Sequence, residues 1–137
     1  MVMGKDILVL DEDPAMRELV AMWLADAGYD VYHPKVLRSL RIDDPETVGC
    51  IVADLNSPRI VAPGMLGQLS ARYPSAFIIA VSGYFQQGPG TGAEMAKQLG
   101  VAKVLAKPFS CDQLVSAVHE LFGGDWLREI PARAPEP

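Results

Sequence analysis

The chain has 137 residues, of which 50% are apolar and 21% charged, a length and composition typical of one soluble globular domain. Its net charge of −5 argues against sequence-independent binding to DNA or RNA, which requires a basic surface, so no nucleic-acid partner is expected. No apolar run approaches the roughly 20 residues of a membrane span, so no membrane partner is expected either. Cys50 and Cys111 lie far apart without a metal-ligand spacing, and we interpret them as reduced residues of a cytoplasmic protein.

Five short apolar runs predict five β-strands, over residues 6–10, 29–33, 50–55, 77–82 and 103–106. The third and fourth runs, which contain CIVADL and FIIAVS, show no alternation of polar and apolar residues. Uninterrupted apolar runs are typical of strands that are covered on both faces, as in a parallel sheet.

Helical patterns separate the strands and predict helices over residues 14–27, 36–42, 64–73, 93–99 and from 111 onwards. Asp13 suits the N-cap of the first helix and Pro14 its first position, so this acid is explained without a functional role. Ser110 and Gln113 form a capping-box pattern that marks the start of the last helix.

Strand and helix alternate five times, and this alternation predicts an α/β fold with a doubly wound, five-stranded parallel sheet. Right-handed crossovers favour the strand order 2-1-3-4-5 of flavodoxin-like (βα)5 domains. Binding sites of such sheets lie beyond the carboxyl ends of the strands. We expect the domain to cover residues 1–122 and a short Pro-rich tail, without an output domain, to cover 123–137.

Polar side chains stand at the ends of four predicted strands. The first strand ends in Asp11 and Glu12, the third in Asp54 and the fourth in Ser82, and Lys107 follows the fifth. These strands are neighbours in the predicted order, so three acids, one hydroxyl and one lysine are expected to share one pocket.

Crowded carboxylates are unfavourable unless a positive charge lies among them. Oxygen ligands favour a hard cation, Mg²⁺ or Mn²⁺, which would remove this cost and also orient a phosphoryl donor. A carboxylate can then attack phosphorus as a nucleophile, and the hydroxyl and the ammonium can hold the phosphoryl oxygens. The pocket is therefore predicted to transfer or bind phosphoryl groups.

Five segments taken together resemble the response-regulator receiver domain of two-component signalling: ILVLDEDPAMRELV, GYDV, VADLNSP, IIAVSGY and VLAKPF. The resemblance covers roughly residues 5–122. It implies that Asp54 is the phosphoacceptor and that Glu12 contacts the metal directly, Asp11 through water and Asn56 through its main-chain carbonyl.

The resemblance also assigns roles around the acceptor. It implies that Ser82 is the switch hydroxyl, that Lys107 pairs with the phosphoryl group, and that Gly83 and Tyr84 modulate the site. A receiver is not a conventional enzyme, since it catalyses only its own phosphoryl transfer and a slow dephosphorylation.

The expected phosphoryl donor is a histidine kinase or a histidine phosphotransfer domain, and the output is binding to a downstream protein. The usual docking face, formed by the last two helices and the fifth strand, would include Lys97, Val104 and Gln113. We expect a monomer or a weak dimer. Val104 stands where family members usually have an aromatic residue that swings inward on activation.

Two alternatives remain open. A binding module of the same fold that is never phosphorylated is motivated by Val104 and by the altered segment RIVAPGMLG after Pro58. A phosphohydrolase is motivated by Asp11-x-Asp13, which resembles the nucleophile motif of haloacid-dehalogenase-like phosphatases. Against this second alternative, the later acidic pair with which those enzymes bind Mg²⁺ is missing after Lys107, apart from Asp112, and the chain is short.

Overall fold

A computed structural model of the chain describes residues 6–33, 47–55, 64–83 and 91–122. Within these ranges the strands form one parallel sheet in the order β2-β1-β3-β4-β5, which confirms the predicted fold class and strand order. The strands are β1 (Asp6–Leu10), β2 (Asp30–Tyr32), β3 (Val48–Asp54), β4 (Phe77–Ser82) and β5 (Lys103–Ala106).

The helices in the described ranges are α1 (Pro14–Asp26), α2 (Met65–Arg72), α3 (Thr91–Leu99) and α4 (Cys111–Leu121). The Asp13 carboxylate caps α1 by accepting a hydrogen bond from the Ala15 N–H at 3.0 Å, and Ser110 and Gln113 form the predicted capping box. The helix predicted over 36–42 lies outside the described residues. None of the helices in the described part of the chain is long and apolar enough to cross a membrane.

The two faces of the sheet bury two separate apolar clusters. Ile7 and Val9 of β1 face the cluster that includes buried side chains of α1 and α4, whereas Leu8 and Leu10 face the cluster that includes Leu69 of α2. Every residue of β3 is buried, which explains why its sequence shows no alternation.

Both cysteines are free, in agreement with the sequence prediction. Cys50 is fully buried in β3, and burial raises the pKa of its thiol to about 12. Cys111 is half-buried at the start of α4. The Cys50 thiol therefore behaves as a small apolar core residue.

The chain remains hydrogen-bonded to the sheet immediately after two of the strands. The Leu55 N–H donates to the Val81 carbonyl at 2.7 Å, and the Lys107 N–H donates to the Ser82 carbonyl at 3.1 Å. These bonds fix the backbone next to Asp54 and at Lys107. The backbone at this carboxyl edge of the sheet is therefore hydrogen-bonded at the positions from which Asp54 and Lys107 extend.

Candidate functional site

Asp11 and Asp54 lie side by side at the carboxyl edge of the sheet. Asp11 follows β1 and Asp54 ends β3, and these neighbouring strands are in register up to the pair Leu10 and Ala53. Both aspartates are buried, with 9% and 7% of their surfaces exposed. Asp11 Oδ1 accepts a hydrogen bond from the Asp13 N–H at 2.9 Å, so its carboxylate has a defined orientation.

Lys107 brings its ammonium group to both carboxylates. Its Nζ donates a hydrogen bond to Asp54 Oδ1 at 3.3 Å and lies 3.9 Å from Asp11 Oδ2. The Lys107–Pro108 peptide bond is cis. The structure thus joins three of the predicted site residues in one ion-pair cluster.

The unequal charges of this cluster affect the pKa of Asp11. The pKa of its carboxyl is raised from 3.8 to about 6. Burial is the largest cause and the nearby Asp54 carboxylate also raises this pKa, whereas the hydrogen bond from the Asp13 amide and the Lys107 ammonium lower it. The two acids line a small cavity together with apolar residues that include Val52, Val81 and Phe109. One lysine, which is itself 22% exposed, therefore does not fully compensate two buried carboxylates.

The donor set fits a hard divalent cation. Two adjacent carboxylates supply oxygen ligands and an excess of negative charge, and Mg²⁺ commonly uses one or two carboxylates and keeps several waters. Within the four described ranges, no three Asp, Glu, His or Cys side chains form a ready metal cluster. Glu12 is exposed beside Asp11, and Asn56 lies outside the described residues.

Ser82 lies at the end of β4, between the strands that position Asp54 and Lys107. It is almost fully buried, and its main-chain carbonyl accepts the bond from Lys107 described above. Gly83 follows it and is exposed. Tyr84 lies outside the described residues. The predicted switch hydroxyl is therefore near the cluster by topology, and its role stays a prediction.

The predicted docking face contains a groove of about 380 Å³ between α3, β5 and α4. Val104 and Gln113 line it, whereas Lys97 is exposed on α3 and is not among the lining residues. The other lining residues are Ala96, Ala102, Lys103, Leu105, Ser116, Ala117 and Glu120. With Val104 in place of an aromatic residue, this face is formed largely by small side chains.

The sequence prediction omits Arg17, which the structure places directly behind Asp11. Only 4% of Arg17 is exposed, and its Nη1 donates to the Asp11 main-chain carbonyl at 3.1 Å. The signal was present in the helix pattern, because Arg17 has the i, i+3, i+4 and i+7 spacing with Val20, Ala21 and Leu24, all of which are buried. A charged residue in an apolar stripe is a sign of a specific contact.

The comparison with protein families identifies the family of this chain. Residues 7–119 match the family model of the response regulator receiver domain, so the chain belongs to the receiver domains of two-component response regulators. This family is not one of conventional enzymes, and its members typically bind Mg²⁺ and are phosphorylated by histidine kinases. The membership excludes the phosphohydrolase alternative.

Curated relatives are longer than this chain. It is 34% identical to the transcriptional regulatory protein FixJ of Azorhizobium caulinodans, with 84% of this chain and 54% of FixJ covered. It is 32% identical to a putative NtrX-like response regulator of Rickettsia conorii, with 80% of this chain and 23% of the relative covered. The chain therefore spans about half of the first relative and a quarter of the second.

Solved structures show the same fold. A receiver domain protein from Clostridium thermocellum matches with a TM-score of 0.69 at 20% identity, covering 90% of this chain and 98% of its own. The chemotaxis protein CheY4 of Vibrio cholerae matches with a TM-score of 0.63 at 20% identity, covering 88% and 99%. At this level of identity the similarity establishes the CheY-like fold.

Proposed function

We propose that this receiver accepts a phosphoryl group on Asp54 from a histidine kinase or a histidine phosphotransfer domain, in a reaction that depends on Mg²⁺ or Mn²⁺. The main support is the hydrogen bond of 3.3 Å between Lys107 Nζ and Asp54 Oδ1 in a buried acidic pocket at the carboxyl edge of the sheet. This arrangement gives a carboxylate nucleophile next to a cation that can hold the incoming phosphoryl group.

The reaction is a displacement at phosphorus. An Asp54 carboxylate oxygen forms the new O–P bond while the N–P bond of the donor phosphohistidine breaks and the imidazole leaves. Lys107 and Ser82 then hold the phosphoryl oxygens. Asp11 and Asp54, with Glu12 and the Asn56 carbonyl, would hold the metal, which supplies charge neutralisation for the phosphoryl oxygens.

The proposed output is protein–protein interaction in the cytoplasm. Phosphorylation would draw Ser82 and the segment after it, which begins with Gly83 and Tyr84, toward the phosphoryl group and so bias a two-state surface. A downstream protein would bind the face that includes Lys97, Val104 and Gln113. The division into a receiver over 1–122 and a tail over 123–137, and the monomeric or weakly dimeric state, stay predictions.

Intact-mass spectrometry after incubation with acetyl phosphate tests the proposal. The wild type, Asp54→Asn and a control, Asp30→Asn, are each compared with and without Mg²⁺. Asp30 is an exposed aspartate on β2, at the edge of the sheet. We expect one added phosphoryl group in the wild type and in Asp30→Asn, only with Mg²⁺, and none in Asp54→Asn.

A phosphoryl group that persists in Asp54→Asn would exclude Asp54 as the acceptor. A wild type that gains none, either from acetyl phosphate or from a purified phosphorylated histidine phosphotransfer domain, would favour the phosphorylation-independent binding module. The observation that favours this second candidate is Val104, which lies half-buried in the groove without the aromatic ring that usually reports activation.

A further inference from the structure

Arg17 is a buried charge for which the proposed reaction has no direct use. It lies in the first turn of α1, on the buried face of the helix. Burying a guanidinium is unfavourable unless it makes specific contacts. A protein with an apolar residue of similar length at such a position is often as stable as the original or more stable. The charge at this position therefore needs an explanation.

Two hydrogen bonds of Arg17 within the described part of the chain lie at the turn between β1 and α1. Its Nη1 donates to the main-chain carbonyl of Asp11, and its backbone N–H donates to the main-chain carbonyl of Asp13 at 2.9 Å. Its Nε is buried and has no hydrogen-bond partner among the residues that the structure describes. The hydrogen bond to Asp11 is therefore the contact that links this buried cation to the acidic pocket.

Two hydrogen bonds hold Asp11 in place. Arg17 holds its main-chain carbonyl, and the Asp13 N–H holds Oδ1 of its carboxylate at 2.9 Å. Oδ2 is then directed toward Lys107, at 3.9 Å. A ligand that is oriented in advance binds a cation more tightly, because less conformational freedom is lost on binding.

We propose that Arg17 is a positioning residue that acts through the Asp11 carbonyl to orient the Asp11 carboxylate for cation binding beside Asp54. The inference rests on the proposed function, since it assigns Arg17 to the Mg²⁺-dependent phosphorylation of Asp54. A space-filling role requires only the volume of the side chain, whereas the positioning role requires the N–H donor at its end.

Cation affinity separates these two roles. Mg²⁺ binding to the full chain is measured by isothermal titration calorimetry for the wild type, Arg17→Met and Arg17→Lys. Arg72→Met is the matched control, because Arg72 is exposed in the last turn of α2. Phosphorylation by acetyl phosphate is followed by intact mass over a series of Mg²⁺ concentrations.

We expect Arg17→Met to raise the Mg²⁺ dissociation constant about 10-fold or more, the size of effect that outer-shell substitutions have in metal sites. The Mg²⁺ concentration for half-maximal phosphorylation rises by the same factor, while the rate at saturating Mg²⁺ changes less. Arg17→Lys retains a cationic donor and recovers most of the affinity, and Arg72→Met is unchanged.

A double-mutant cycle with Asp11→Asn tests whether Arg17 acts through Asp11. Arg17→Met is expected to weaken Mg²⁺ binding in the wild-type background and to have little further effect in Asp11→Asn. An equal loss in both backgrounds overturns the inference, since it would indicate a general effect on packing.

Circular dichroism shows first whether each variant is folded, and Arg17→Leu, which also lacks an N–H donor, replaces Arg17→Met in the same comparison if the latter does not fold. A folded neutral variant whose Mg²⁺ affinity stays within twofold of a functional wild type overturns this inference alone. A wild type that binds no Mg²⁺ and gains no phosphoryl group overturns the proposed function and this inference with it.

Discussion

The two lysines at the ends of β5 have very different surroundings. Lys103, the first residue of the strand, pairs with Glu120 of α4 at the surface, where the two side chains are 33% and 63% exposed. Lys107, just after the strand, faces the buried carboxylates of Asp54 and Asp11. The first is one exposed pair, and the second is one ammonium group beside two buried acids.

The difference separates an ordinary surface ion pair from the ion-pair cluster of the candidate site. An exposed pair between single charges is solvated and contributes little to stability. The cluster around Lys107 is unbalanced, and the raised pKa of Asp11 shows that the folded protein disfavours its charged form. An unfavourable buried charge at the carboxyl ends of the strands is typical of a ligand-binding site.

The largest effect is expected from removing the ammonium at the buried end of β5. Lys107→Met should slow phosphorylation of Asp54 by acetyl phosphate about 100-fold, a loss typical for one missing charge-stabilising donor. Lys103→Met, the matched change at the other end of the strand, should stay within twofold of the wild type. Time courses of intact mass measure both, and equal rates for the two variants would contradict the comparison.

The next largest effect concerns stability without metal. Asp11→Asn should raise the free energy of unfolding at pH 8 by on the order of 2 kcal/mol, because it removes a buried carboxylate whose folded-state pKa lies above its unfolded value of 3.8. Urea denaturation in the presence of a chelator measures this difference, with Asp30→Asn as an exposed control.

The pH dependence of this gain has a definite sign. The folded state binds the Asp11 proton more tightly than the unfolded state, so the wild type loses stability as the pH rises from about 4 to about 6. The advantage of Asp11→Asn should therefore grow over this window and stay constant above it. An advantage that is largest at pH 4 would contradict the assignment.

A smaller effect is expected from Mg²⁺ itself. At tenfold excess over its dissociation constant, Mg²⁺ should stabilise the wild type by about 1.4 kcal/mol at pH 8. The effect should diminish at pH 5, where Asp11 is protonated, and in Asp11→Asn. Thermal melts with matched concentrations of Mg²⁺ and a monovalent salt measure it, and a shift that is independent of both would indicate binding elsewhere.

The smallest effect is expected at the exposed pair. Glu120→Gln should change the free energy of unfolding by less than about 0.5 kcal/mol and leave phosphorylation unaffected. Denaturation at low and high salt measures the first quantity. A loss of more than about 1 kcal/mol would mean that the surface pair is structural in a way that its exposure does not indicate.

The strand predictions show where local pattern is sufficient. The apolar runs of β1, β4 and β5 match the observed strands, because each run ends where the sheet ends. β3 runs from Val48 to Asp54 instead of over the predicted 50–55. Its earlier start follows from the register of β1 with β3, which pairs Val48 with Asp6 through an irregularity. β2 is shorter than predicted, because Tyr29 packs in the core before the strand begins.

The sequence by itself predicted the fold and proposed the candidate site residues, because apolar runs and chain order indicate the strands, and right-handed crossovers favour the order that makes their ends neighbours. Only the tertiary structure decided how these residues interact. Lys107 reaches an acid 53 positions away, and the pKa of Asp11 depends on burial by residues from several strands. The hydrogen bond from Arg17 to the Asp11 carbonyl exists only when α1 packs on the sheet. Desolvation and distances through space are properties of the assembled fold.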